Sequence, residues 1–159
     1  MLQRKKGFTM CEKNLIDLTN RLFENAPQND GGVTDEPSGI HCLRYEETSE
    51  LCASIYHPLL CLVLQGEKVV KTSKRSFQVG AGASLIVSHT VPIASQITMA
   101  SKDEPYLALV LPLDVDILRK IGSLSPTTVS HLPYDPFSLS LEETSGDLLD
   151  AFGRLLSQP

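Results

Sequence analysis

The residues of this 159-residue chain with the chemistry to hold a metal or attack a substrate are His41, His57, His89 and His131, together with Cys11, Cys42, Cys52 and Cys61. None forms the CxxC or HxxxH pairs that bring two ligands onto one ion. No GxSxG elbow presents a serine nucleophile, and the serines near His89 have no carboxylate placed beside them by sequence. Gly80 and Gly82 are followed by neither GK[ST] nor GxGxxG, so they read as turn residues rather than a phosphate cradle. Cys61 stands apart because it sits inside an apolar run. It is a candidate electrophile-sensing thiol, set against the commoner role of a buried cysteine as a small hydrophobe. The histidines read first as surface or hydrogen-bonded core residues. Only His57 has the strand parity to point inward.

Composition narrows the function classes. Fourteen Lys and Arg against nineteen Asp and Glu give a net charge of -5, whereas a domain that grips phosphates carries a basic surplus. The basic cluster Arg4, Lys5, Lys6 is followed by Glu12 and Lys13 where a signal peptide needs an apolar run. No stretch is long and apolar enough to span a membrane, so no membrane partner is expected. A cytoplasmic chain with reduced thiols is the expectation. At 42% hydrophobic residues it has the make-up of a single globular domain.

The elements that must position these side chains follow from periodicity. Leu15, Ile16, Leu18, Leu22 and Phe23 recur at helical spacing over 11–25, and the run 26–32 with Pro27 and Gly31 reads as a linker. Ile40 and Cys42 mark a strand over 39–46. LLCLVLQ at 59–65 is apolar throughout, as a strand buried on both faces must be, and Gly66 closes it. KVVK at 68–71 and SFQV at 76–79, split by a polar turn, form a hairpin signal. Further strands fall at 84–87, 93–99 and 105–111. Short strands at such intervals predict an antiparallel sandwich or barrel. Asp114 caps a short helix over about 114–122, and a second amphipathic helix over 141–159 carries Leu148, Leu149, Phe152, Leu155 and Leu156 on one side. That stripe reads either as core packing or as a dimer contact. Its abrupt end at Ser157, Gln158 and Pro159 leads us to expect a further element beyond it.

The expected fold class is mainly β with flanking helices, a cupin-like double-stranded β-helix or jelly-roll antiparallel barrel over 33–140, preceded by the helix and linker of 1–32. A cupin metal site takes two His and a Glu from one motif and a His from a second. With Gly66 closing the first motif, the Glu position falls on Leu59 and the His pair near 52–55. With Gly82 in the second, the His position falls on Ile93. Apolar side chains thus stand where the ligands would be, and neither a metal nor another cofactor is expected.

The run PLLCLVLQGEKVV at 58–70, followed by VGAGASLIVS at 79–88, VPIASQIT at 91–98 and ASKDEPYLALVLPLD at 100–114, resembles the N-terminal domain of AraC-type transcription regulators. The resemblance implies a barrel that receives a small-molecule effector and mediates homodimerisation. It also implies a helix-turn-helix DNA-binding domain absent from this chain. No effector is carried over with it.

The leading expectation is therefore a non-enzymatic sensor with no catalytic residues. Inward parity nominates His57, Leu59, Cys61, Val63, Ile93, Ile97 and Tyr106 to line an apolar effector site, and the Leu148 to Leu156 stripe to pair two copies. Two alternatives remain open at this point. One is a structural dimerisation module whose barrel is filled by its own side chains. The other is a metal-dependent cupin enzyme in which His57 and His89 converge.

Overall fold

The computed structural model describes residues 9–26, 31–124 and 139–158. Helix α1 (Met10–Asn25) leads into strands β1 (Gly32–Asp35), β2 (Ile40–Tyr45), β3 (Cys52–Tyr56), β4 (Leu59–Gln65), β5 (Glu67–Lys71), β6 (Ser76–Gly80), β7 (Ala83–Val87), β8 (Val91–Met99) and β9 (Tyr106–Pro112). Helix α2 (Val115–Leu124), strand β10 (Leu139–Glu143) and helix α3 (Gly146–Leu156) follow.

All pairings are antiparallel and fall into two sheets. The larger is ordered β1-β2-β9-β4-β7-β10 and the smaller β3-β8-β5-β6. The cupin-like fold is present, but the two sheets face each other without closing into the barrel that was expected. Strand alternation sorts the core into two layers. Cys61, Val63, Tyr106 and Ala108 turn toward the smaller sheet, where they meet Val70, Phe77, Val79 and Ile93. Leu62, Leu64, Leu107 and Leu109 turn the other way, under α1 and α3. The all-apolar β4 needs both faces covered, and the helices supply the second cover.

The local signals act as their chemistry requires. Thr9 caps α1 in a reciprocal box, its hydroxyl accepting from the Glu12 N–H at 3.3 Å while the Glu12 carboxylate accepts from the Thr9 N–H at 2.6 Å. The Asp114 carboxylate accepts from the N–H groups of Asp116 and Ile117, starting α2, which runs past Gly122 to Leu124. Thr72 closes the β5–β6 hairpin through the Lys74 and Arg75 N–H groups.

Three assignments change. Residues 141–143, expected as the start of the last helix, belong to β10, paired with β7, and α3 begins at Gly146 behind a Ser145 cap. Glu142 and Glu143 therefore sit in a strand rather than at a helix N-terminus. Gly32 opens a strand rather than ending a linker, and 27–30 lie outside the described residues. Cys52–Tyr56, not assigned from periodicity, is a strand because it forms the edge of the smaller sheet against β8.

Candidate functional site

Between the two sheets an apolar layer encloses a small polar cluster. Strand β5 alternates so that Lys68 shares the inward face of Val70, and the residue is only 7% exposed. Its ammonium lies 3.4 Å from the Cys61 sulfur and 3.5 Å from the Tyr56 hydroxyl, with the Tyr56 ring centroid 5.6 Å away. Among the described residues no carboxylate pairs with it. Tyr106 enters from β9 in the opposite sheet, and its hydroxyl is buried without a hydrogen-bond partner among the described residues. The Tyr106 ring meets Tyr45, its register partner on β2, at 6.4 Å between centroids.

The electrostatics of this cluster are unusual for a core. Burial disfavours the Lys68 ammonium, but its electrostatic interactions with Cys61, Tyr106 and Tyr56 outweigh that and hold its pKa above the ordinary lysine value. Burial pushes the Tyr106 hydroxyl up, with Lys68 opposing. The Lys68 ammonium has a thiol and a phenol to donate to but no carboxylate among the described residues, and leaving the buried Tyr106 hydroxyl without an acceptor there costs about 1–3 kcal/mol.

Six of the seven residues nominated by parity reach this layer. Cys61, Val63, Ile93 and Tyr106 are buried in it, and Leu59 and Ile97 pack half-buried against it. His57 does not: it is exposed between β3 and β4, its ring nitrogen 3.3 Å from the Thr90 hydroxyl. The chain leaves the strand at His57 and Pro58, so alternation counted back from Leu59 loses its meaning there. His89 is likewise exposed and bound to Ser88, while His41 bonds Thr34. His131 lies outside the described residues.

Lys68 and Tyr56 were missed. Lys68 was legible, since Val70 two residues on is inward and alternation carries Lys68 with it. Tyr56 depended on β3 being recognised.

Three of the five residues nominated for dimerisation pack within the chain. Leu149, Phe152 and Leu156 are buried against α1 and the outer face of the larger sheet, and Leu148 and Leu155 pack beside them. Exposed apolar side chains include Ile117, Leu118 and Ile121 on α2, with Met10, Leu51, Ile55, Met99 and Leu141 elsewhere.

Among the described residues, concavities reach the surface beside the helices and at one end of the sandwich. A groove of about 490 Å³ runs between α1 and α3, where the Cys11 thiol donates to Asp150 at 3.2 Å. A larger cleft of about 1550 Å³ opens at the end of the sandwich beside Gln65, Gly66, Glu67 and Thr98. Ala83 and Ala100 line this cleft and also pack against the layer that holds Lys68. No helix among the described residues is long and apolar enough to cross a membrane.

Among solved structures, the fold matches ToxT from Vibrio cholerae with an unsaturated fatty acid bound, at a TM-score of 0.57 and 12% identity, over 84% of this chain and 48% of that one. ToxT bound to (E)-4-(8-methylnaphthalen-1-yl)but-3-enoic acid gives a TM-score of 0.55 at 11% identity, over 74% of this chain and 45% of that one. The chain thus corresponds to about half the length of these proteins. No curated protein matches it by sequence. The family model for the N-terminus of AraC-type transcriptional regulators matches residues 37–158, and the chain belongs to that family.

Proposed function

We propose that the chain is the effector-sensing part of an AraC-type regulator, and that its effector is an apolar molecule with an anionic head held between the two sheets. The observation that carries this reading is Lys68, a buried cation without a carboxylate, beside the unpartnered Tyr106 hydroxyl. A carboxylate there would satisfy both groups at once, in a setting where charge-assisted hydrogen bonds are strong. Val63, Val70, Ile93 and Ile97 would take the apolar body. The molecules bound in the two ToxT structures, a fatty acid and a naphthalenyl butenoic acid, combine the same two features. The cleft at Gly66 and Ala100 is the route of entry.

Signal output follows from linkage. A ligand that binds one arrangement of the sheets better than another shifts the balance between them, and a DNA-binding domain carried elsewhere in the regulator reads the shift. Homodimerisation belongs to this reading through the family resemblance, with the half-buried Leu148 and Leu155 the part of the α3 stripe left to contribute. The competing reading, a dimerisation module filled by its own side chains, predicts no ligand response.

The two separate in thermal unfolding with sodium decanoate. The expected result is a rise in Tm that grows with decanoate concentration and is lost in Lys68→Met. No rise with decanoate or with aromatic carboxylates would overturn the sensor reading.

A further inference from the structure

A thiol attacks carbon as its thiolate, and inside an apolar core a thiolate forms only beside a cation. The larger sheet provides its own comparison. Cys61 and Cys42 are 1% and 0% exposed and lie on opposite faces of that sheet. Cys42 feels burial and the Asp35 carboxylate, which push its pKa up to about 12. Cys61 has the Lys68 ammonium at 3.4 Å. Facing both is the Tyr106 hydroxyl, a donor without an acceptor among the described residues and within electrostatic reach of Cys61 and Lys68. Nucleophile, proton carrier and oxygen-binding donor are the three parts that conjugate addition requires.

We propose that Cys61 is a covalent capture site for apolar α,β-unsaturated carbonyl compounds entering between the sheets, a proposal that rests on the reading of this space as the effector site. The Cys61 proton leaves to water while the Lys68 ammonium holds the thiolate in place, and the sulfur lone pair forms a bond to the β-carbon. The carbon–carbon π pair moves toward the carbonyl, whose oxygen accepts from the Tyr106 hydroxyl as negative charge gathers on it. Lys68 then delivers its proton to the α-carbon and is left as the free amine, ready to take up a proton from water. The net change is addition of S–H across the double bond, with no oxidant or reductant. An adduct remains in place far longer than a reversibly bound acid, so a brief exposure to electrophile would hold the domain in its liganded arrangement.

The test is a time course of the folded chain with hexyl vinyl ketone, with ethyl hexyl ketone as the saturated control, read by intact mass and peptide mapping. Cys61 is expected to gain one enone at least about tenfold faster than Cys42, and Lys68→Met to slow it by about the same factor. The saturated ketone leaves Cys61 unchanged, and decanoate slows its labelling. An unmodified Cys61 in protein that decanoate still stabilises overturns the covalent proposal and leaves the effector site standing. An unmodified Cys61 with no decanoate response overturns both. Equal rates at Cys61 and Cys42, or a Lys68→Met variant that labels as fast as the parent, would overturn the assignment of Cys61 and Lys68 as a reactive pair.

Discussion

Gly66 lies so close to Tyr106 that a β-carbon on the glycine would stand 2.9 Å from the tyrosine Cα, and 2.5 Å from the Met99 carbonyl oxygen on the other side. Both neighbours are backbone, which cannot rotate away. Gly66 also has φ of 77°, in the left-handed region. This one turn joins β4 to β5 two residues ahead of Lys68, and it thereby sets the spacing between Lys68 and Tyr106.

Gly66→Ala is therefore expected to lose roughly 2–5 kcal/mol, combining the left-handed penalty with an overpacking cost. Gly39 is the control, with φ of 72° and nothing within 4 Å of the point where a β-carbon would stand. Gly39→Ala is expected to cost only about 1–2 kcal/mol. Urea unfolding of the two variants gives the comparison, and equal losses would show that the Tyr106 contact is slack.

Lys68→Met is expected to leave the unliganded protein as stable as the parent or more so, by up to about 4 kcal/mol, because an unpaired buried ammonium gives way to an isosteric apolar chain. Thermal unfolding without ligand checks this. A marked fall in Tm would mean that Lys68 contributes more through its contacts with Cys61 and Tyr56 than its burial costs.

Cys42 predicts an alkaline loss of stability. Its thiol keeps its proton to about pH 12 in the folded chain, whereas the ordinary value is 9.0. Between those values the unfolded state has given up a proton that the folded state retains, so unfolding is favoured as pH rises. The contribution is intact below pH 9 and declines above it, at no more than about 1.4 kcal/mol per pH unit. Cys42→Ala, though less stable at neutral pH through its cavity, should show a shallower fall in Tm above pH 9 than the parent. Parallel curves would assign the alkaline loss to other groups, Tyr106 among them.

Phe152→Ala is expected to cost about 3–5 kcal/mol as a buried aromatic, and Leu148→Ala clearly less, since Leu148 is only half-buried. Chemical unfolding with size-exclusion chromatography checks the pair. If Phe152→Ala altered the oligomeric state while leaving chemical stability untouched, α3 would be an association surface after all.

The limits of sequence reading here are local against non-local. The lining of the inter-sheet layer was largely legible because a strand's side chains alternate whatever it pairs with, so the parity of Leu59, Cys61 and Val63 survived into the fold. The same logic failed at His57 because Pro58 interrupts the strand. The stripe on α3 was legible as a stripe, but an amphipathic face records only that something apolar covers it. That cover is α1 and the larger sheet, and α1 lies more than a hundred residues away in sequence.

By itself, then, the sequence determined most of the strands and turns, the two-faced burial of β4, the cap at Asp114, and the family to which the chain belongs. The tertiary structure decided that two sheets face each other without closing, that 141–143 joins β7 instead of the last helix, and that Lys68 ends beside Cys61 and Tyr106. The reason is that alternation and capping act over one to four residues. What lies opposite a side chain is set by strands paired across the whole chain, and only that pairing turns an ordinary lysine into a buried cation.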